Sequence, residues 1–179
     1  MPKEMIQVSY IAEGLHAAER PVRKLIVISS VTVGLSVFGS SFIMAEDMKL
    51  PELKRQSSPD AVVAEHVDAL NKCDWDRLMA QYPPEVEIHL PNGVVAKGRE
   101  KVGELFAGFV KPHTDGGLCG IKFTPEKTFT VDGTVNAQWR AEAEFLVETY
   151  RGSDAYVTRD GLMYAQVTTF NGADLKMKP

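Results

Sequence analysis

An α+β domain is what this sequence predicts: a long curved antiparallel sheet wrapped around the helices that come before it and preceded by a hydrophobic export segment. Three observations carry that expectation. Apolar residues between positions 58 and 110 recur at helical spacing, those beyond 120 alternate in the strand manner with Asp-Gly pairs between the runs, and Leu25 to Ala45 is free of charge. Helices placed before a run of antiparallel strands are the α+β arrangement.

The uncharged stretch follows Arg20, Arg23 and Lys24 and is followed directly by Glu46 and Asp47, the charge order of a signal peptide. Ala45 with Ile43 two positions before it is a weaker cleavage site than A-x-A, so retention as an N-terminal anchor is the alternative. Ser29, Ser30, Thr32, Ser36, Ser40 and Ser41 dilute its hydrophobicity for that role. Basic residues favour the inner side, so either case places the remainder outside the cytoplasm: periplasmic or secreted, or anchored in the membrane by residues 25–45. The expected division is 1–45 signal or anchor, 46–57 linker or arm, and 58–179 globular domain.

Ser58-Pro59-Asp60 is a helix start, with a capping oxygen, a proline at the first helical position and an acid at the positive end of the dipole. Val63, His66, Val67 and Leu70 then form one stripe. Asp74 caps a short second helix, Trp75 to Gln81, ended by Pro83-Pro84, and a strand follows at Glu85 to Leu90. Gly98 to Val110 is the third helix, its buried face marked by Val102, Leu105, Phe106, Phe109 and Val110. Strands are expected at Gly120–Val131, Thr134–Tyr150, Asp154–Arg159 and Leu162–Phe170, with turns at Asp132-Gly133 and Asp160-Gly161.

Composition narrows the function classes. The net charge is -4, with 24 acidic against 20 basic residues, and no basic run interleaved with aromatics follows the export segment, so nucleic acid is not an expected partner. Cys73 and Cys119 have no metal-type spacing and are either a disulfide or two semi-buried thiols. His66, His89 and His113 are dispersed, without H-x-x-x-H or H-E-x-x-H, so neither a metal nor another cofactor is expected. No G-x-S-x-G marks a serine nucleophile.

The segments DWDRLMAQYPPEVEIHLPNG, KGREKVGELFAGFV and RDGLMYAQVTTF, in that order, resemble the nuclear transport factor 2-like superfamily and particularly its SnoaL-like branch, over roughly residues 58 to 171. The resemblance implies a cone of bent sheet and three helices with a pocket at the open end, commonly a homodimer through the sheet. It covers isomerases, cyclases, epoxide hydrolases and binding modules, so it does not fix function. Ketosteroid isomerases of the superfamily use a tyrosine on the first helix, an aspartate base before the proline that ends the first strand, and a protonated acid on a later strand. By that resemblance His66 stands near the tyrosine, Leu90 at the base and Asp154 near the second acid. Leucine accepts no proton, which disfavours that isomerisation.

The candidate catalytic residues are therefore His66 and Asp154, as an acid/base pair, with Tyr82, His89, Trp139 and Tyr156 as candidate ligand-binding residues. Each has a structural alternative: His66 a core histidine, Asp154 a turn cap after Arg151-Gly152, Trp139 and the tyrosines packing residues. His89 and Glu87 alternate with Val86, Ile88 and Leu90, so they take the opposite sheet face, and alternation does not say which face lines the cone. The leading expectation is an exported module binding a small apolar or amphipathic molecule. The alternatives are a lyase, isomerase or hydrolase using His66 and Asp154, and a scaffold associating through its sheet. Membrane contact is expected only through the N-terminal segment, if uncleaved.

Overall fold

Ser58 opens the folded region as expected. Its Oγ accepts the Ala61 N–H at 3.1 Å and caps α1 (Pro59–Asn71), the first helix of a computed structural model that describes residues 49–178. The export segment and residues 46–48 of the linker lie outside the described residues, among which no helix is long and apolar enough to cross a membrane. Asp74 caps α2 (Trp75–Met79) through the Arg77 N–H, and the proline pair lies just beyond it. Two short strands, β1 (Glu87–His89) and β2 (Val95–Lys97), form a hairpin across Pro91-Asn92-Gly93 before α3 (Gly98–Phe109). The long strands are β3 (Lys122–Val131), β4 (Thr134–Glu142), β5 (Tyr150–Arg159) and β6 (Leu162–Thr169).

The six strands form one sheet in the order β2-β1-β6-β5-β4-β3, antiparallel except where β1 runs parallel to β6. That parallel pair departs from the all-antiparallel expectation. It arises because the chain returns from the β3–β6 meander to lie beside a strand made before α3. The turns at Asp132-Gly133 and Asp160-Gly161 have positive φ at both residues, the backbone that matches the twist of paired strands. The concave face packs on the helices: Val62, Val63, His66 and Ala69 of α1 and Val102 and Phe106 of α3 meet Val135, Ala137, Tyr156 and Met163 of the sheet. Burying each large apolar side chain contributes about 2 kcal/mol.

Two expectations on the strands are corrected. The expected strand Thr134–Tyr150 stops at Glu142, and residues 143–149 form a loop in which the Phe145 ring stacks on His113 at 4.0 Å and Leu146 bridges to Met177. Apolar spacing continues through Ala143, Phe145 and Val147, but Ala143 and Phe145 serve a second, smaller core around Ile121, Trp139 and Tyr150, and Val147 is exposed. Conversely, β5 begins at Tyr150, so Gly152, Ser153 and Asp154 lie within a strand and Asp154 caps no turn. Gly152 reads as a turn residue; here it pairs with Trp139, whose indole would stand 2.3 Å from a Cβ at 152.

Residues 49–57 lie along the domain as an arm. The Lys54 and Gln56 N–H groups donate to the carbonyls of Ala80 and Gly161, and the Arg99 guanidinium donates to those of Pro51 and Met79. Cys73 and Cys119 form a disulfide with Cα atoms 5.7 Å apart, tying the end of α1 to the loop that leads into β3.

Candidate functional site

The concave sheet face, α1 and α3 enclose a cavity of about 410 Å³. Val67 and Leu70 of α1, Leu105 and Phe109 of α3, and Ile88 and Phe123 of the sheet make most of the wall apolar. The rim carries exposed Pro91, Asn92, Gly116 and Asn171. The floor is built from buried residues, among them His66, Trp139, Asp154, Tyr156 and Gln166.

Strand alternation assembles this floor. Ala137 and Trp139 of β4 point inward, and their pairing with Asp154 and Gly152 of β5 brings Asp154 beside the indole. Asp154 Oδ2 accepts the Trp139 Nε1–H at 2.9 Å and the Tyr156 hydroxyl at 2.7 Å, while Oδ1 is buried without a partner. Burial pushes the Asp154 carboxyl above the usual range, and the hydrogen bonds from Tyr156 and Trp139 oppose that rise without cancelling it. Thr168 and Gln166 stand close enough to add to the opposition, yet neither gives Oδ1 a hydrogen bond of normal geometry. The Gln166 amide nitrogen donates to the Thr168 hydroxyl at 3.1 Å, and its Oε1 also has no partner.

His66 reaches the floor from α1, fully buried, its ring edge-on to Tyr156 and Phe106 at 5.5 and 5.9 Å. Nδ1 lies 3.1 Å from the Tyr82 hydroxyl, and Nε2 has no partner among the described residues. Burial pushes the imidazole down to about 3, so it is neutral at physiological pH. Burial, helped by the Asp154 charge, raises the Tyr82 and Tyr156 phenols well above 10, so both keep their protons.

The structure thus brings His66, Trp139, Asp154 and Tyr156 to one cavity. Tyr82 is not in the wall; it stands one layer behind, holding His66. His89, a candidate ligand-binding residue, lies outside the cavity, because Ile88 and Leu90 take the inward positions of its strand. Its ring is 3.1 Å from the Glu87 carboxylate and its side chain is 42% exposed. Gln166, not among the sequence candidates, belongs to the floor. The available signal was its alternation with Ala165 and Val167, which face outward, so that a polar residue takes the inner position. Among the described residues no group of three or more His, Cys, Asp or Glu is placed to hold a metal ion.

Residues 63–166 match the model of the SnoaL-like domain family. The chain belongs to this family. The sequence matches no curated protein. Among solved structures, this SnoaL-like chain is similar to a computationally designed 17-OHP binder at 19% identity, covering 69% of this chain and 98% of that one with a TM-score of 0.56. It is similar to the Δ5-3-ketosteroid isomerase of a Mycobacterium species at 17% identity, covering 68% and 99% with a TM-score of 0.55. TerC, co-crystallised with polyporic acid, shares 17% identity over 63% of this chain and 91% of its own, with a TM-score of 0.53. At these identities the likeness establishes the nuclear transport factor 2-like, cystatin-like fold; function rests on the residues of this chain.

Proposed function

We propose that this is an exported SnoaL-like domain that binds a small, largely apolar molecule with one polar end in its cone. The observation that carries this reading is a set of buried polar atoms without a partner among the described residues, His66 Nε2, Asp154 Oδ1 and Gln166 Oε1, in side chains that line the floor of an otherwise apolar cavity. An unpaired buried polar atom costs about 1–3 kcal/mol, and a ligand that pairs it recovers that cost. The volume suits a compact small molecule. The designed 17-OHP binder and TerC with polyporic acid give the same fold a precedent for such ligands.

Two subsidiary parts of the reading rest on other residues. The Cys73–Cys119 bond is consistent with an oxidising compartment and supports export. Exposed Phe129, Val131 and Val167 on the outer sheet face support association of two copies through that face.

The acid/base alternative keeps half of its pair. Burial pushes the His66 imidazole down to about 3, far from the range near neutrality that suits a general base. Leu90 lines the cavity where the resemblance put a base, and Asp154 remains as a candidate acid. The deciding experiment is native mass spectrometry of the protein purified gently from its own host, followed by titration with apolar probes. A co-purifying or added molecule bound one per cavity, and lost on Trp139→Ala, is the expected result. A cavity that takes no probe overturns the binding reading. Turnover abolished by both His66→Ala and Asp154→Asn would replace it with the acid/base one.

A further inference from the structure

The floor's unpartnered atoms differ in what they offer a ligand, and His66 is the one whose character the surrounding structure decides. The Tyr82 hydroxyl is fully buried, and its one hydrogen-bond contact is His66 Nδ1. A buried phenol hydrogen needs an acceptor. Were the imidazole proton on Nδ1, it would point at the phenol oxygen and leave the phenol hydrogen with nothing to bond. With Nδ1 unprotonated, the phenol donates to it and both are satisfied, which puts the imidazole proton on Nε2, the buried nitrogen without a partner among the described residues, in a side chain that lines the cavity. The ring has little freedom to turn: Phe106 and Tyr156 hold it on two sides, and Phe106 stacks on Tyr82 at 5.5 Å.

We infer that Tyr82 is a positioning residue that fixes His66 as an N–H donor at the cavity floor, so that the site selects ligands presenting a hydrogen-bond acceptor, such as a ring carbonyl, at their buried end. The selectivity rests on the binding reading given above; the fixing of the tautomer does not. Tyr82 touches no ligand itself. Its hydroxyl acts through one hydrogen bond, and losing it leaves the imidazole free to hold its proton on either nitrogen. A ligand acceptor would then meet a lone pair on Nε2 for part of the time.

The experiment combines a spectrum and a titration on protein recovered from expression of the full chain. Nitrogen-15 imidazole spectra read the tautomer of His66, assigned by its loss in His66→Gln. Fluorene, fluorenone and fluorenol, nearly isosteric, read the selectivity. The expected wild-type result is a pure Nε2–H tautomer and a preference for fluorenone over fluorene. In Tyr82→Phe, which keeps the ring and its stacking on Phe106, the tautomers should mix and fluorenone affinity should fall roughly 3- to 10-fold while fluorene affinity holds. His66→Gln, which presents an amide N–H from a side chain of similar reach, should retain part of the fluorenone preference. An Nδ1–H tautomer in the wild type, or a Tyr82→Phe spectrum unchanged from it, overturns the positioning role. Equal affinity for all three probes overturns the selectivity while leaving binding intact. Binding of none of them removes the binding reading and the selectivity together, and the spectrum then decides the positioning role by itself.

Discussion

The floor and the mouth of the cavity are made from different material. The floor is contributed by the middles of α1, β4, β5 and β6, and the Asp154 carboxylate on it is held by one hydrogen bond from the neighbouring strand, from Trp139, and one from its own strand, from Tyr156. The mouth is contributed by the 110–121 loop, the β1–β2 turn and residues 170–175, and it is held by the Cys73–Cys119 bond and by backbone pairing of the chain end with residues 145–147. Polar groups that must be aimed sit on elements whose geometry is over-determined, and the entrance is left to segments that can shift at lower cost. Ligand selectivity should therefore follow the floor, and rates of entry and exit the mouth.

The largest expected effect breaks the mouth alone. The disulfide closes a sequence separation of 46 residues, so Cys73→Ser with Cys119→Ser should cost roughly 4 kcal/mol by loop-closure entropy. Denaturant titration reads that cost. Hydrogen exchange should rise in residues 110–121 and stay low in β4 and β5; equal loosening of both would erase the distinction.

Acid tests the floor. His66 is neutral when folded down to about pH 3 but takes a proton near 6.5 when unfolded, so the unfolded state binds more protons between those values. Stability should accordingly fall by several kcal/mol in total as pH drops from 6.5 toward 3. Asp154 acts with the opposite sign. Its folded pKa is raised, so it takes stability away as pH rises from the ordinary 3.8 toward its folded value. His66→Leu should flatten the acid side of the stability profile; an unchanged slope would mean that His66 is not held neutral.

A smaller effect is expected at the strand pair that forms the floor. Gly152→Ala should force the indole away from β5, lengthen the Trp139–Asp154 hydrogen bond and cost about 2 kcal/mol. Trp139 fluorescence and a carbon-13 titration of the Asp154 carboxyl should both shift, the carboxyl further upward because it loses a donor. The smallest effect serves as a reference outside both regions: Ser58→Ala removes the α1 cap and should cost about 1 kcal/mol with probe affinity unchanged.

The helices and the two Asp-Gly hairpins were legible because each is dictated locally, by caps, spacing and turn chemistry. β2 was missed because three residues are too short to show a period. The loop at 143–149 and the early start of β5 were misread for one reason. Ala143 and Phe145 continue a strand pattern but serve a second core, with Val147 exposed, and Gly152 imitates a turn when its small size is required by an indole from the neighbouring strand. Asp154 was found by resemblance and misjudged by local rules, since its environment is made by Trp139 and Tyr156 on paired strands. The disulfide depended on two segments meeting in space and was beyond spacing arguments.

The contact between Gly152 and Trp139 also orders the mutational routes open to this domain. A side chain at 152 must push aside the indole that lies over it, so enlarging position 152 is less costly once position 139 has shrunk. The two positions are epistatic, and the less costly order for trading depth for breadth in the cavity passes first through a variant with a larger and emptier floor.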